Sequence, residues 1–421
     1  MNEIKRVCII GGCGHVGIPL GLAFAKAGFT VTLIDINTEA VKIINNEKLP
    51  FVEEGAEEIL KEHIGKNLFA TCDIQKVSEQ DAVIFVTGTP VDEHHNPDVK
   101  AVLNVIKAYL PLMHTEQLVI LRSTMFPGTT ELICNLLKEN LGIAHVAFCP
   151  ERILQGKGIE EINKLPQIVA AEDDDVFEMA SEVFSKISPK IIRIKSREAE
   201  LVKLITNTWR YLEFAAANAF YMMVENDGID FYRVYNAITD DYPRAKNFPR
   251  AGLAAGPCLF KDTMQLSAFY QNNFFLGQSA MLVNEGLPNF LVNQLEKKMG
   301  SLPGKNVALL GMTFKANNDD TRESLSFKIK KLLEFKMARV LTHDPYILSN
   351  PLDEIMEKAD GIILGTPHKE YRNIAPKVPF VDCWNFYYSF NCVSQHVFKS
   401  YIRHYFISNI RNNSYCSRLN F

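Results

Sequence analysis

The sequence has no excess of positive charge. Its 45 Lys and Arg residues stand against 49 Asp and Glu residues among 421, so the formal net charge is −4. This balance gives no electrostatic reason to expect a nucleic-acid or membrane partner. Long apolar runs are also missing, because the longest uncharged one lies near Phe214–Val224. A membrane-spanning helix needs roughly 20 such residues, so none is expected.

An export signal and a cysteine framework are absent as well. Val7–Ile10 is a short apolar run that leads directly into glycines, unlike the apolar region of a signal peptide. The nine cysteines form no CxxC pair, so neither a zinc cluster nor a disulfide framework is expected. We therefore predict a cytoplasmic protein with no metal site and with mostly buried, reduced thiols.

Short β-branched runs alternate with helical patterns in both the first and the last part of the chain. This alternation predicts two doubly wound α/β domains with parallel sheets. The predicted strands are Arg6–Ile10, Thr30–Ile34, Ala82–Val86, Leu118–Leu121, His145–Phe148, Asn306–Leu310, Arg339–His343, Gly361–Leu364 and Pro379–Asp382.

The middle of the chain has a different pattern. From Glu198 to about Asn226 runs a long helical stretch without Pro or Gly, and helical patterns continue to about Lys298. We predict four regions: an NAD-binding domain (1–197), a helical middle that forms a homodimer surface (198–300), a nucleotide-sugar-binding α/β domain (301–390) and an atypical tail (391–421).

A GxGxxG motif, Gly12-Cys13-Gly14-His15-Val16-Gly17, follows the first predicted strand and opens a helix. Glycines at these positions permit a tight turn and close approach of the backbone to a pyrophosphate at the helix N-terminus. Asp35 ends the second strand, where a carboxylate binds the ribose hydroxyls and repels a 2′-phosphate. The sequence therefore predicts a dinucleotide site that prefers NAD to NADP, with His15 beside the cofactor.

The segment Gly256-Pro257-Cys258-Leu259-Phe260-Lys261-Asp262 combines a cysteine with a nearby lysine and aspartate. A nearby ammonium or a helix N-terminus would raise the thiolate fraction of such a cysteine and make it a nucleophile. Taken alone, this segment favours a buried structural cysteine over a nucleophile.

Several separate motifs together resemble those of the UDP-glucose/GDP-mannose dehydrogenase family, over roughly residues 1–386. In chain order they are Gly12–Gly17, Arg122–Thr124 with Pro127–Thr130, Cys149–Glu151, Lys203–Asn207, Cys258–Asp262, and Gly311–Lys315 with Thr321–Ser324. The resemblance implies an NAD-dependent four-electron oxidation of a nucleotide sugar from alcohol to carboxylate at C6, through a covalent cysteine adduct. Synthesis of a surface polysaccharide would be the corresponding pathway class.

The resemblance also implies roles for individual residues. Cys258 would be the nucleophile, Lys203 would stabilise the developing oxyanion, and Asn207 would donate to the same oxygen. Asp262 would act with Lys203 in proton transfer or water activation. Glu151 would position the hydrolytic water or assist proton transfer, and Thr124 would lie beside that water and the nicotinamide.

Further residues are implied to bind the two ligands. For NAD they are Gly12, Gly14, His15, Val16, Gly17, Asp35, Thr89, Ser123, Thr124 and Arg322. For the nucleotide sugar they are Glu151, Leu154, Lys203, Asn207, Arg244, Arg250, Gly252 and Lys315, with the two arginines suited to clamp a diphosphate.

The match departs from the family pattern in three places. Alanines replace glycines at Ala254 and Ala255, the loop after Glu151 reads Arg152-Ile153-Leu154-Gln155-Gly156, and the tail after Asn385 has no counterpart. Three alternatives stay open: a two-electron dehydrogenase of the hydroxyacid type, a non-catalytic nucleotide-binding module, and a family member specific for GDP-mannose instead of a UDP-sugar.

Overall fold

A computed structural model describes residues 3–89, 91–92, 97–142, 145–347 and 349–387 of the chain. The tail predicted at 391–421 lies outside these residues. Contacts divide the chain into two compact units. Unit 1 comprises the described residues up to Ala216, together with Ala254–Glu285 and Thr313–Ser324. Unit 2 comprises Ala217–Leu253, Gly286–Met312 and the described residues from Leu325 on.

Unit 1 is built on an eight-stranded sheet in the order β3-β2-β1-β4-β5-β6-β7-β8. Its strands are β1 Arg6–Ile10, β2 Thr30–Ile34, β3 Leu68–Thr71, β4 Ala82–Phe85, β5 Leu118–Leu121, β6 His145–Phe148, β7 Gln167–Ala170 and β8 Ile191–Ile194. Neighbouring strands are parallel except β6 and β7, which pair antiparallel. Strands β2 and β3 lie on one side of β1, and β4 to β8 lie on the other. This change of direction in the strand order places a crevice at the carboxyl ends of β1 and β4.

Strand residues alternate between two apolar layers because side chains of a strand point to opposite faces. Val7 and Ile9 of β1 belong to one core cluster, whereas Cys8 and Ile10 belong to the other. Both layers are buried, which explains why these strands read as continuous apolar runs in the sequence.

Helices cover both faces of this sheet. They are α1 Gly17–Lys26, α2 Thr38–Asn45, α3 Ala56–His63, α4 Val99–Tyr109, α5 Thr129–Leu141, α6 Gly158–Ile162 and α7 Asp174–Ser185. Side chains of Asn37, Asp98 and Asp173 accept the first free N–H groups of α2, α4 and α7, which fixes where these helices begin.

Four helices make up the middle of the chain: α8 Ser196–Asn226, α9 Phe231–Thr239, α10 Leu259–Phe269 and α11 Phe275–Met299. The part of α8 up to Ala216 and all of α10 belong to unit 1, whereas α9 belongs to unit 2. None of the described helices is both long and apolar enough to cross a membrane.

Unit 2 contains a second sheet of four parallel strands in the order β10-β9-β11-β12. Its strands and helices are β9 Asn306–Leu310, α12 Ser326–Phe335, β10 Arg339–His343, α13 Leu352–Lys358, β11 Gly361–Leu364 and β12 Phe380–Val381. The fold prediction of two doubly wound α/β sheets with helices between them in sequence is therefore confirmed.

Candidate active site

The loop between β1 and α1 can be built only with glycine at two of its positions. A Cβ on Gly12 would lie 2.6 Å from the carbonyl oxygen of Ile9, and one on Gly17 would lie 2.4 Å from that of Gly12. A Cβ on Gly14 would meet nothing nearer than 3.7 Å. Gly14 is therefore not required for packing within the chain, and its missing side chain leaves room for a ligand at the start of α1.

Asp35 follows β2 and faces this loop. Its carboxylate accepts hydrogen bonds of 3.0 Å from the backbone N–H groups of Cys13 and Asn37. A carboxylate held at the end of β2 has the position that binds adenosine ribose hydroxyls in dinucleotide sites. The residues present therefore fit NAD.

His15 lies in the same loop, with its ring centroid 3.8 Å from that of Phe51. Its Nε2 is 3.7 Å from the Asp320 carboxylate. Burial lowers the pKa of His15, and the charge of Arg322 lowers it further. A neutral, packed imidazole fits the prediction of a residue beside the cofactor.

One face of α8 carries three polar side chains, Glu200, Lys203 and Asn207, at the spacing that places residues on one side of a helix. Glu200 is completely buried and accepts hydrogen bonds from the backbone N–H groups of Gly128 and Thr130 at 2.6 and 2.8 Å. These groups begin α5, whose own N-cap residue is a glycine without a side-chain acceptor. Glu200 thus fixes α8 against α5.

Lys203 donates its ammonium hydrogen bond to the carbonyl oxygen of Glu151. The carboxylate of Glu151 points elsewhere: it forms an ion pair with the buried Arg122 and accepts from the backbone N–H groups of Arg152 and Ile153. The predicted water-positioning role of Glu151 stays a prediction, and its visible role is to hold Lys203.

Cys258 is the N-cap residue of α10, and Asp262 begins its hydrogen-bond ladder by donating its N–H to the Cys258 carbonyl at 2.9 Å. Asp262 is 1% exposed. Its Oδ2 accepts a 2.6 Å hydrogen bond from Asn207. Its Oδ1 is buried without a hydrogen-bond partner among the described residues, so a polar group is available to a ligand here.

Solvent reaches Cys258, yet protein atoms crowd its thiol, and this desolvation raises the pKa. The negative charge of Asp262 raises it further, while Lys203, Lys261 and Arg322 act in the opposite direction. The two lysines therefore act in the expected direction on the thiol, but burial and the charge of Asp262 outweigh them. Burial also raises the pKa of Asp262 above its usual range.

The loop Thr313–Ser324 brings two more predicted residues into unit 1. Lys315 donates a 3.0 Å hydrogen bond to the carbonyl oxygen of Gln155. Arg322 is gripped by the Asp320 carboxylate through its Nε and Nη2 atoms. Asp320 also accepts from the Gln155 side chain at 2.8 Å. Burial works to raise the pKa of Asp320, but these hydrogen bonds prevail and lower it.

The same loop supports the segment before Cys258. Gly256 has a φ of +98°, and a Cβ there would lie 2.6 Å from the ring of Phe314. Its N–H donates to the Glu323 carbonyl at 3.2 Å. Gly256 is therefore required at this position. The residues before it, Ala254 and Ala255, are the alanines that stand where the family pattern has glycines.

Three predicted substrate residues belong to unit 2. Arg244 donates a 2.7 Å hydrogen bond from its Nε to the hydroxyl of Tyr242. Arg250 lies over the ring of Tyr235, 5.3 Å from its centroid. Gly252 exchanges two 2.9 Å hydrogen bonds with the Asn218 side chain. Both backbone groups of Gly252 are thus used within unit 2.

Unit 1 therefore gathers Cys258, Asp262, Asn207, Lys203 and Thr124 into one polar cluster. Ser123 and Thr89 lie nearby: Ser123 donates to Thr87, and Thr89 accepts from Lys261. Val16 precedes α1 as its N-cap, and Leu154 donates its N–H to Glu161.

Sequence reasoning missed three supporting residues, Glu200, Glu53 and Asp320, which contact predicted residues or their loops instead of the reacting centre. It also gave Arg122 no role, although this residue lies in one of the family motifs. The position of Glu200, three residues before Lys203, was the one readable signal.

Comparison with known proteins agrees with this architecture along nearly the whole described chain. Residues 5–188 match the NAD binding domain of the UDP-glucose/GDP-mannose dehydrogenase family, residues 197–285 its central domain and residues 308–388 its UDP binding domain.

Similar proteins include two archaeal UDP-N-acetyl-D-mannosamine dehydrogenases. That of Methanocaldococcus jannaschii is 31% identical over 379 residues, covering 88% of this chain and 87% of the relative. That of Pyrococcus horikoshii is 29% identical over 384 residues, covering 88% and 91%. A solved structure of a UDP-glucose dehydrogenase from Pyrobaculum islandicum superposes with a TM-score of 0.84 at 27% identity, covering 91% of this chain and 96% of that one.

These matches confirm the family resemblance, the NAD cofactor and the enzymatic class, and they set aside the non-catalytic alternative. The chain belongs to the UDP-glucose/GDP-mannose dehydrogenase family and is an NAD-dependent nucleotide-sugar dehydrogenase.

Proposed function

We propose that this enzyme oxidises the C6 alcohol of a UDP-sugar to a carboxylate through a covalent adduct on Cys258. The observation that carries the proposal is the cluster at the start of α10. There a solvent-accessible cysteine, a buried aspartate and a helix-borne lysine influence one another electrostatically. A two-electron dehydrogenase has no need for a cysteine at this place.

The reaction removes two hydrides from the C6 carbon of the sugar, and hydrolysis by water releases the product. In the first step the alcohol carbon loses a hydride and its hydroxyl loses a proton, giving an aldehyde. The thiolate of Cys258 then forms a C–S bond with the aldehyde carbon, and the oxygen takes up a proton. Loss of a second hydride and of that proton gives a thioester. Water attacks it, the C–S bond breaks, and the carboxylate and the thiolate are released together with two protons. NAD, when bound, supplies the hydride acceptor for each oxidation.

The ammonium of Lys203 suits the oxyanion that develops at the reacting carbon. It is a point charge fixed by the Glu151 carbonyl, and a fixed charge costs no reorganisation when the oxyanion forms. Asp262 suits proton transfer because burial raises its pKa towards neutrality. Asn207 donates to one Asp262 oxygen and so fixes the carboxylate for proton exchange with the substrate or a water.

For the sugar we propose UDP-N-acetyl-D-mannosamine, since relatives named for this activity match at 29–31% identity over most of their length. UDP-glucose is the second candidate, because a UDP-glucose dehydrogenase superposes with a TM-score of 0.84. The match of residues 308–388 to a UDP binding domain supports a uridine nucleotide in place of GDP-mannose.

We further propose a homodimer formed through α8. Its exposed large apolar residues are Ile205, Trp209, Phe220 and Met223. At 100° per residue these four positions fall within a sector of about 60° of the helix. Exposed apolar residues along one side of a long helix are typical of a protein–protein contact, and a second copy can offer the same residues across a two-fold axis.

The test is to follow NADH formation against UDP-N-acetylmannosamine, UDP-glucose, UDP-N-acetylglucosamine, UDP-galactose and GDP-mannose, with the Cys258→Ala variant in parallel. We expect two NADH per sugar consumed with UDP-N-acetylmannosamine, and loss of that stoichiometry in the variant. One NADH per sugar, or full turnover without Cys258, would instead establish a simple alcohol dehydrogenase.

A further inference from the structure

The loop of residues 152–158 is held by two carboxylates that no catalytic role explains. It leaves Glu151 after β6 and ends at the first residue of α6, Gly158. Its residues are half-buried apart from the exposed Lys157 and the buried Gly158. A loop of this kind has many backbone groups to satisfy, so the partners that it uses determine its shape.

Glu53 holds the second half of the loop. It is 4% exposed, and its two oxygens accept hydrogen bonds from the N–H groups of Gly156 at 3.0 Å and Gly158 at 2.5 Å. In return the Glu54 backbone N–H donates to the Gly156 carbonyl at 3.2 Å. Burial raises the pKa of Glu53, and the backbone N–H groups act against that rise.

Glu161 holds the middle of the loop from the other side. Its Oε2 accepts from the backbone N–H of Leu154 at 2.5 Å, and the Lys157 N–H closes a turn onto the Leu154 carbonyl at 2.9 Å. Leu154, Gln155 and Gly156 are therefore fixed between two acidic side chains.

The fixed loop faces both lysines that the proposed function uses. Its Gln155 carbonyl accepts the ammonium of Lys315, and the Glu151 carbonyl just before it accepts that of Lys203. A displacement of the loop would therefore move the acceptors that orient both ammonium groups. Misplacement of such groups by about 1 Å can cost 100-fold in rate.

We propose that Glu53 and Glu161 are positioning residues that hold loop 152–158 in the shape that receives the sugar of the substrate. The proposal rests on the proposed function. The two side chains bind the loop backbone and do not contact the substrate themselves. The residues that would contact the substrate are Leu154, Lys203 and Lys315. Within the part of the chain that the structure describes, the two glutamate side chains accept from the loop and from no residue of the β1–α1 loop, so we expect them to act on substrate binding.

Adjacent acidic residues provide matched controls. Glu54 is exposed, and its contact with the loop uses only its backbone. Glu160 is exposed and pairs with Lys164. The variants to compare are therefore Glu53→Gln with Glu54→Gln, and Glu161→Gln with Glu160→Gln. A glutamine keeps the size of the side chain but places an NH₂ group where an oxygen accepted an N–H.

The measurements are the KM for the nucleotide sugar, the KM for NAD and kcat, together with the thermal midpoint of each variant. We expect Glu53→Gln and Glu161→Gln to raise the sugar KM about tenfold or more, as the loss of a charge-assisted hydrogen bond predicts. The KM for NAD and both control variants should stay within about twofold of the wild type.

The outcomes separate this proposal from the proposed function. An active wild type in which Glu53→Gln and Glu161→Gln behave like their controls would overturn the positioning role alone. Equal losses in both KM values and kcat would reduce it to a general structural role. If Glu53→Gln fails to fold, the half-buried Glu161 carries the test. A wild type that oxidises no nucleotide sugar would overturn both proposals.

Discussion

The amide of Asn207 donates a 2.6 Å hydrogen bond to the carboxylate of Asp262, and this bond joins the helix that carries Lys203 to the helix that begins at Cys258. Because the bond is buried, solvent does not compete for it. The carboxylate therefore keeps a defined orientation relative to the thiol one helical turn before it.

This geometry predicts how charge controls the reactivity of Cys258. Asp262→Asn removes a negative charge that raises the thiol pKa, whereas Lys203→Met removes a positive charge that lowers it. The thiolate is the reactive form and its fraction grows as pH rises through the pKa. In Asp262→Asn the alkylation of Cys258 by iodoacetamide should therefore begin at lower pH than in the wild type, and in Lys203→Met at higher pH.

Mass spectrometry of the Cys258 peptide, taken across a pH series, measures this rate at one site. The exposed Cys72 is the internal control, and its alkylation profile should be the same in all three proteins. If alkylation of Cys258 in Asp262→Asn begins at the same pH as in the wild type or at a higher pH, the electrostatic coupling is contradicted.

Substitutions at two glycines of the β1–α1 loop should affect different properties, namely the stability of the fold and the binding of NAD. Gly12→Ala should lower the free energy of unfolding by about 1–3 kcal/mol, because its Cβ would press on fixed backbone. Gly14→Ala should leave the thermal midpoint unchanged, since its Cβ has room, and should instead weaken NAD binding. Thermal melts and NAD titration by calorimetry test both changes; a destabilised Gly14→Ala protein would show that this glycine serves the fold.

The preference for NAD should depend on Asp35. Asp35→Ser removes a carboxylate that would repel a 2′-phosphate, so the ratio of kcat/KM for NAD to that for NADP should fall. The drop for NAD should be about tenfold, the usual cost of losing a hydrogen bond to a charged group. Because Asp35 also accepts from Cys13 and Asn37, the thermal midpoint must be measured alongside; an unchanged ratio in a folded variant would exclude this role.

The homodimer prediction concerns Trp209, which is 61% exposed on α8. A charge in an apolar contact is strongly unfavourable, so Trp209→Glu should shift the protein towards monomer in sedimentation velocity at micromolar concentration. Leu132→Glu, which changes an exposed apolar residue on α5, should leave the sedimentation profile as in the wild type. A monomeric wild type would refute the proposal outright.

Local sequence pattern was sufficient for the strands that are buried on both faces. β1, β2, β5 and β6 have the predicted bounds because each is a short run dominated by apolar and β-branched residues. The strands not predicted are β3, β7 and β8. Of these, β3 and β8 are the two edges of the sheet, and their exposed positions interrupt the apolar pattern.

The site was predictable where its residues occur in compact motifs and not where contacts join distant segments. Glu53 precedes the glycines that it binds by more than a hundred positions, and no local spacing reveals such a pair. The direction of the Cys258 pKa was not predictable either. The sequence names the charges nearby, but their balance against desolvation depends on the packing around the thiol.

The pairing of Arg322 with Asp320 has a consequence for how tightly an anionic ligand can bind. The guanidinium of Arg322 is already neutralised by the Asp320 carboxylate before a ligand binds. A phosphate that recruits it must share or displace an internal partner, so the encounter is an exchange of one anion for another. The gain in such an exchange is small. In the proposed four-electron oxidation two molecules of NAD bind and leave for each molecule of product, and a contact that forms and breaks readily suits that exchange.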